Sequence, residues 1–370
     1  MTKIQKIVIT GTLAITTIAG SLFLINQNIK NKIENQLKHH LVSFQKKMQK
    51  DLRNQVYYDF SHSKIKCKGF FNYTCSIKEN YLTTHIPMIS GHLLYWDMEI
   101  GNITLGSFKD LRKQNVDNLL FRINNLKPTQ ETSVLFLNNI SKYAFPIDTQ
   151  NIINIHTKKI NKTNVKKDIE LKNSYIKTPA FKIDYYGKLT VKDTPDGFML
   201  YLNKKNEYIK KPENPQTFKT EIRVDSPTKI ILHKTGYTLY NTHIPEMLYA
   251  WYKNVGNKYS FATINKNIFY INKSKILSFK EFNNQVIQIL DKAITDALKV
   301  KNNNTKWFVD YLSALKQLYL HKVKAVQIKI LNKNKIPLQA LYVENRVFPG
   351  IYNQVAFLGK YYQIEIKVIK

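Results

Sequence analysis

The chain is poor in cysteine and glycine, and it lacks the common catalytic motifs. Only two cysteines occur in 370 residues, so one disulfide bond is the most it can form, and a zinc site would need two further ligands. Twelve glycines leave little room for glycine-rich loops that cradle phosphates. No GxSxG, P-loop, GxGxxG or HExxH pattern is present. The sequence therefore shows no recognisable catalytic, metal or cofactor site.

Acidic residues and arginine are also scarce. The formal net charge is +31, yet only five residues are arginine and 52 are lysine. Proteins that read bases and phosphates favour the planar arginine fork. Lysine combined with abundant asparagine, isoleucine and tyrosine is typical of an AT-rich genome. We interpret the charge as spread over solvated faces, with nucleic acid or an anionic membrane as the alternative explanation.

One long apolar run occurs, from Ile7 to Ile25. Its nineteen residues span roughly 28 Å as a helix, close to the thickness of a bilayer core. The stretch FLINQNIK (23–30), in which the run ends, offers no small-residue cleavage site, and no cysteine follows the run for a lipid anchor. The pattern predicts an uncleaved signal anchor over residues 1–26 and a single-pass protein that contacts the lipid bilayer through residues 7–25.

Both cysteines lie in the segment KIKCKGFFNYTCSIK, residues 64–78. Apolar residues alternate along it and turn-forming residues stand near its centre, which predicts a strand hairpin. In that hairpin Cys67 and Cys75 would face each other at disulfide distance. Free buried thiols and a metal or redox site remain as alternatives. A disulfide after an export signal fits an oxidising compartment, which places the bulk of the chain in the periplasm, anchored in a bacterial inner membrane.

Residues 27–56 form a predicted amphipathic juxtamembrane helix, because apolar residues recur every three to four positions from Ile29 to Val56. This helix could pack on the folded domain, lie on the lipid surface or pair with a partner helix. We expect the packed arrangement, with the helix as an upright stalk. Its basic residues are the candidates for contact with an anionic membrane surface. These residues are Lys30, Lys32, Lys38, Lys46, Lys47 and Lys50.

The rest of the chain predicts an α+β fold with a mainly antiparallel β-rich body. Residues 57–275 show strand-like alternation, with a hairpin turn at TPDG (194–197). The stretch 127–177 is polar and irregular, which indicates either loops or a short helical insertion. Residues 276–370 change character. A capping box at Ser278-Phe-Lys-Glu281 opens one helix, a second helix follows, and two strands close the chain.

The order of these features resembles a known family. An uncleaved anchor, then NKIENQL (31–37) opening a helix, then a KGFFNYTCSI hairpin (68–77), is similar to the YdgA-like family of bacterial inner-membrane proteins of unknown function. The resemblance covers about the first eighty residues. It implies a large β-rich periplasmic region with helices near the C-terminus, and it implies no catalytic residues.

These patterns favour a non-enzymatic envelope protein that binds a protein partner, a lipid or an envelope polymer. The 23 tyrosines and 19 phenylalanines either fill a core or line a surface for a lipid tail or a glycan. Two alternatives remain: an anchored periplasmic enzyme with an unrecognised site, and a basic protein that binds nucleic acid or anionic membrane.

Overall fold

The structure is a computed structural model that describes most of the chain. The described residues are 23–43, 45–46, 57–70, 72–87, 93–108, 115–129, 141–160, 165–202, 208–209, 220–258, 277–300, 302–347 and 350–370. The chain divides into two compact units. The first comprises Met1–Leu111 and Leu119–Thr132, and the second comprises Arg112–Asn118 and Ser133–Lys370.

The first unit places one helix against antiparallel strands. Helix α1 covers residues 23–43, and residues 45–46 are also helical. The strands are β1 (Tyr57–Ser61), β2 (Lys66–Phe70), β3 (Asn72–Pro87), β4 (Leu93–Phe108) and β5 (Val116–Pro128), of which residues from Leu119 onward belong here. Neighbouring strands follow the order β1-β3-β4-β5, and β2 pairs with β3.

Helix α1 packs on the strands through a narrow stripe. Ile33 is buried in the core of the first unit, and Leu37 and Leu41 pack against the same core. Polar contacts fix the register of the helix, since Glu34 accepts a hydrogen bond from the backbone N–H of Cys67 at 2.8 Å. The hydroxyl of Tyr73 donates a hydrogen bond to the Oδ1 of the buried Asn26 in α1 at 2.7 Å. The predicted packing of the helix on the β-rich body is therefore confirmed.

The cysteine hairpin is formed as predicted. Cys67 and Cys75 are direct partners in the β2–β3 ladder and are joined by a disulfide bond, with 3.9 Å between their Cα atoms. Gly69 adopts a φ of +122°, and a Cβ there would lie 2.1 Å from the carbonyl oxygen of Asn72. Only glycine fits this close approach of the two strands. The disulfide, rather than free thiols or a metal site, is what the structure shows.

The second unit is dominated by long antiparallel strands. They are β6 (Ile147–Lys159), β7 (Val165–Lys177), β8 (Phe181–Leu202), β9 (Tyr208–Ile209), β10 (Thr220–Asn241), β11 (Ala325–Leu331) and β12 (Gln363–Ile369). Their order is β6-β7-β8-β10-β11-β12, with β9 beside β8. This arrangement confirms the predicted α+β class with a large antiparallel β body.

Helices of the second unit concentrate near its C-terminus. They are α2 (Ser141–Ala144), α3 (Ile244–Lys258), α4 (Phe279–Lys299), α5 (Lys306–Tyr319), α6 (Leu338–Val347) and α7 (Ile351–Tyr361), with a short 3-10 helix at Asn303–Thr305. The capping box of α4 is formed as predicted, because Ser278 and Glu281 bond to each other's backbone N–H. Helix α5 packs Leu318 onto Val326 of β11. The sequence did not predict α3, α6 and α7.

Two predictions about the strands are wrong. TPDG (194–197) is not a hairpin turn, because β8 runs unbroken past it and pairs with β10 on both sides, at Asp193↔Thr228 and Phe198↔Ser226. The proline and glycine are absorbed where the ladder shifts register. The stretch 127–177 contains the short helix α2 that was one alternative for it, but it is not otherwise irregular, because it also contains β6 and β7. Both strands are half-exposed along most of their length, so the apolar alternation that identifies a strand is weak.

The predicted membrane anchor falls mainly on residues 7–22, which lie outside the described residues. The described part of helix α1 starts with Phe23, Leu24 and Ile25, whose side chains are each more than half exposed. Within the part of the chain that the structure describes, no helix combines the length and the apolar character needed to cross a membrane.

Candidate functional site: a lysine-lined sheet surface

The second unit carries a depression of about 590 Å³ on one face of its sheet. Strands β7, β8 and β10 form its floor, and the end of β11 with the turn after it forms a rim. We call this surface the lysine face. It is lined by Lys166, Asp168, Lys188, Thr190, Lys192, Ile231, His233, Lys234, Leu331 and Lys335.

A row of lysines crosses four neighbouring strands at one end of the lysine face. The ladder pairs Lys158 with Lys166, Lys166 with Lys192, and Lys192 with Lys229. Like charges directly opposite each other destabilise a sheet. Asp168 lies 2.9 Å from the ammonium of Lys166, whereas no described carboxylate lies within 4 Å of the ammonium groups of Lys158 or Lys192. We call the four lysines of this row, Lys158, Lys166, Lys192 and Lys229, the outer row.

A second pair of opposed lysines lies four residues from Lys192 along β8, beyond Thr190. Lys188 of β8 is the direct partner of Lys234 of β10, and Glu170 of β7 stands opposite Lys188 on its other side. Glu170 lies 3.6 Å from the ammonium of Lys234 and 3.2 Å from that of Lys172. We call Lys188 and Lys234 the inner row. Lys335 on the rim adds a further positive charge.

A bulge in β10 places Lys234 on this surface beside His233. Leu232 pairs with Leu189 and Lys234 pairs with Lys188, so His233 is the extra residue in the ladder. His233 keeps the alternation of Lys229 and Ile231, whereas the extra residue shifts Lys234 onto the same face as Lys188. The buried residue Asn332 holds the bulge with two hydrogen bonds. Its backbone N–H donates to the carbonyl of His233 at 2.9 Å, and its side-chain Nδ2 donates to the carbonyl of Leu232 at 2.8 Å.

The hydroxyl of Thr190 connects His233 to Asp168. It lies 2.5 Å from the Oδ1 of Asp168 and 2.7 Å from the Nε2 of His233. An ionised carboxylate only accepts hydrogen bonds, so the single hydroxyl proton of Thr190 goes to Asp168. Nε2 of His233 must then carry a proton and donate a hydrogen bond to the hydroxyl oxygen of Thr190. The neutral ring therefore has its lone pair on Nδ1, where it can accept a hydrogen bond from a ligand.

The surroundings shift the pKa of both ionisable groups below their ordinary values. Burial lowers the pKa of His233, and the nearby lysines 188, 166 and 335 lower it further, although Asp168 acts in the opposite direction. Burial alone would raise the pKa of Asp168, but the hydrogen bond from Thr190 and the ion pair with Lys166 outweigh it and lower the pKa. At neutral pH the site thus contains a neutral imidazole, a carboxylate and an excess of ammonium groups.

The geometry favours binding over nucleophilic catalysis. In a catalytic triad the histidine lies between the nucleophile and the carboxylate, and it accepts the proton of the nucleophile. Here the threonine lies between the other two groups, and its proton points to Asp168. His233 is therefore oriented to donate to the hydroxyl rather than to remove its proton. The surplus of lysines over carboxylates gives the surface a positive electrostatic potential.

Sequence reasoning did not select any residue of this site. Of the residues it did select, Cys67 and Cys75 form a structural disulfide in the first unit. Lys32, Lys38 and Lys46 are exposed on helix α1 and Lys30 is half-exposed. Lys47 and Lys50 lie outside the described residues. The signal that could have located the site is the set of charged residues on one face of the predicted strand from Lys182 to Lys192. The pairing between strands that brings the lysines into rows is not visible in the sequence.

Comparison with known proteins returns no relative from which a function could be inferred. No family model, no curated protein and no solved structure matches the chain. The resemblance to the YdgA-like family therefore stays a prediction.

Proposed function

We propose that this protein is a membrane-anchored envelope protein that binds a phosphate-bearing ligand at the lysine face of its second unit. The observation that carries the proposal is the alignment of Lys158, Lys166, Lys192 and Lys229 in one row across four strands. Directly opposed lysines reduce the stability of a sheet. A bound anion would offset that repulsion by forming charge-assisted hydrogen bonds.

A periplasmic location is part of the proposal. The disulfide between Cys67 and Cys75 supports it, since such bonds persist in oxidising compartments. The apolar run Ile7–Ile25 supports an anchor in the inner membrane. In that compartment nucleic acid is not the expected ligand, whereas phosphate groups on envelope lipids and polymers are accessible. Helix α1 would then act as an upright stalk for the first unit. Its basic residues stay the candidates for contact with the lipid surface, namely Lys30, Lys32, Lys38, Lys46, Lys47 and Lys50.

The location is tested with reporter fusions to the C-terminus of the full chain. An alkaline phosphatase fused after Lys370 should be active, because that enzyme needs the disulfides it forms in the periplasm. A fluorescent protein that folds only in the cytoplasm should stay dark at the same position. The reverse result would overturn the proposed location.

Anion binding is tested with inorganic phosphate on the full chain in nanodiscs of uncharged lipid. We expect a saturable change in the NMR signals of His233 that chloride at equal ionic strength does not reproduce. The double variant Lys188→Gln/Lys192→Gln should abolish it. Lys329→Gln is the matched control, since this exposed lysine stands on the same face, opposite Gly236, but outside the depression. Equal responses to phosphate and chloride would overturn the proposal.

A further inference from the structure

Strand β12 (Gln363–Ile369) lies at the edge of the sheet of the second unit. All 7 of its residues pair with β11 on one side, and no described strand pairs with it on the other side. Alternate residues of an antiparallel edge strand turn their backbone N–H and C=O groups away from the neighbouring strand. These groups are able to pair with one further strand.

The backbone of β12 is regular enough to receive another strand. Proteins often protect a sheet edge with a bulge or a proline, which prevents a second strand from pairing along it. The ladder between β11 and β12 runs without a shift of register, in contrast to the ladder between β8 and β10. Strand β12 also contains no proline. Its backbone therefore offers a continuous edge for pairing.

The side chains of β12 alternate between two faces of different chemistry. One face is apolar, half-buried and packed against the clusters beneath helices α5 and α7, and it consists of Ile364, Ile366 and Val368. The other face is polar and exposed, and it consists of Gln363, Glu365 and Lys367. A partner strand has to match both faces at once.

A second copy of β12 matches both faces in one register. Pairing about a two-fold axis normal to the sheet keeps each face on its own side. Directly opposed residues share a face, so the axis must pass between a residue and its own copy. An axis at Glu365 sets two glutamates opposite each other, and an axis at Lys367 sets two lysines opposite each other. An axis at Ile366 instead sets Glu365 opposite Lys367 of the other copy, on both sides of the axis.

The register centred on Ile366 also suits the surroundings of these side chains. On the apolar face Ile366 meets its own copy, and such apolar pairs stabilise a sheet. On the exposed face the carboxylate of Glu365 accepts a hydrogen bond from Gln363 at 2.8 Å. It forms no ion pair with a described lysine, although Lys329 stands opposite it on β11. Glu365 is thus available to pair with Lys367 of a second copy. A lone lysine on the edge would repel that copy, whereas two residues of opposite charge attract it.

From this edge we infer that β12 pairs with β12 of a second copy of this chain, antiparallel and centred on Ile366, so that one sheet continues through both copies. The inference does not depend on the ligand proposed above. Lys329, opposite Glu365, stands on the same side of the sheet as the lysine face. Because the axis is normal to the sheet, the dimer presents two lysine faces on the same side.

A single cysteine tests the register. Ile366→Cys in the full chain, reconstituted in vesicles of uncharged lipid, should give a disulfide-linked dimer on a non-reducing gel after mild oxidation. Residue 366 lies opposite its own copy in this register, with roughly 4.5–5.5 Å between the Cα atoms. The native Cys67 and Cys75 are already bonded to each other. Lys329→Cys is the matched control, since its two copies would be three strand spacings apart, roughly 14 Å, and should not cross-link.

Charge reversal tests the pairs of opposite charge. Dimerisation of the full chain in the same vesicles is followed by energy transfer between fluorophores at the N-terminus, over a series of protein-to-lipid ratios. Glu365→Lys or Lys367→Glu should each weaken dimerisation at least about tenfold, because two attractive pairs become two repulsive ones.

The double variant Glu365→Lys/Lys367→Glu is the control for these changes. It restores both pairs with reversed sign, so it should dimerise within about threefold of the wild type. Position 365 stands opposite Lys329 within the same chain. That contact is the same in Glu365→Lys and in the double variant, so the difference between these two variants reports the pairing between copies.

Three results would overturn the inference. A chain that stays monomeric at every protein-to-lipid ratio would leave this edge to an unlike strand or to none. A dimer that neither charge reversal weakens would have its contact elsewhere in the chain. A double variant as weak as the single ones would exclude the pairing of Glu365 with Lys367. Each of these results would leave the proposed phosphate binding intact, because inorganic phosphate tests that separately.

Discussion

The two units of this protein use the faces of their strands differently. In the first unit, residues alternate between a buried apolar face and an exposed one, as at Ile65, Cys67, Tyr73, Cys75 and Ile77. In the second unit, strand β6 is half-exposed along most of its length, and its one buried side chain is that of Asn154. The first unit is therefore built as a packed body for helix α1, whereas the second keeps a polar sheet surface in contact with solvent.

The two units therefore differ in role: the contacts that stabilise the helix lie in the first unit, and the proposed binding surface lies in the second. The first unit concentrates its apolar contacts and its disulfide around the hairpin that receives α1. The second unit tolerates opposed lysines on a sheet face while helix α5 and strand β11 supply an apolar core elsewhere. Changes in the first unit should consequently alter stability, and changes on the lysine face should alter charge and binding.

The largest effect is expected for Ile33→Asp in helix α1. Ile33 is 6% exposed in the core of the first unit. The change removes an apolar contact and buries a carboxylate, so we expect a loss of about 3–4 kcal/mol of local stability. Native-state hydrogen exchange of the amides in β2 and β3 measures it. Val42→Asp on the same helix is the control, because Val42 is 44% exposed, and similar losses in both variants would contradict the packing of α1.

A smaller effect is expected when the disulfide is removed. Replacing Cys67 and Cys75 together by alanine should lower the stability of the first unit by about 2–3 kcal/mol in the chain-entropy description of a short closed loop. Hydrogen exchange in β7 and β8 should stay unchanged, because those strands belong to the second unit. Thiol labelling of the unreduced, denatured wild-type chain checks the bond itself. Labelling of both cysteines there would contradict the disulfide.

On the lysine face we expect a pH effect of known sign. The pKa of folded His233 lies below 6.5, so its neutral ring contributes stability that is fully present above about pH 6.5 and is lost as the pH falls through the folded pKa. NMR titration of the ring measures this pKa. Lys188→Gln should raise it by removing a nearby positive charge, and Asp168→Asn should lower it by removing the negative one. Shifts of the opposite sign would contradict the described geometry.

The smallest effect is expected for the exposed lysines of helix α1. Lys32→Gln and Lys38→Gln should change the stability of the first unit by less than about 0.5 kcal/mol, since exposed substitutions away from special contacts rarely do more. Hydrogen exchange of the same hairpin amides provides the comparison with Ile33→Asp. A loss greater than that of the disulfide variant would show that these lysines hold the helix in place.

The sequence alone predicted those parts in which one face is buried. Alternation around Cys67 and Cys75 predicted the hairpin and the disulfide, the capping box at Ser278 predicted the start of α4, and the spacing of Leu37 and Leu41 predicted the packed helix. Each of these signals is local. An apolar period of two or of 3.6 residues, or a capping box four residues long, is visible in residues that are close together in the sequence.

Only the tertiary structure decided the candidate site. Lys158, Lys166, Lys192 and Lys229 are distant in sequence and meet because four strands pair in one register. Lys234 reaches the same face because of a bulge, which no pattern in the sequence marks. Strands exposed on both faces carry little apolar alternation, so β6 and β7 resembled loops, and a surface assembled from side chains on separate strands exists only once those strands are paired.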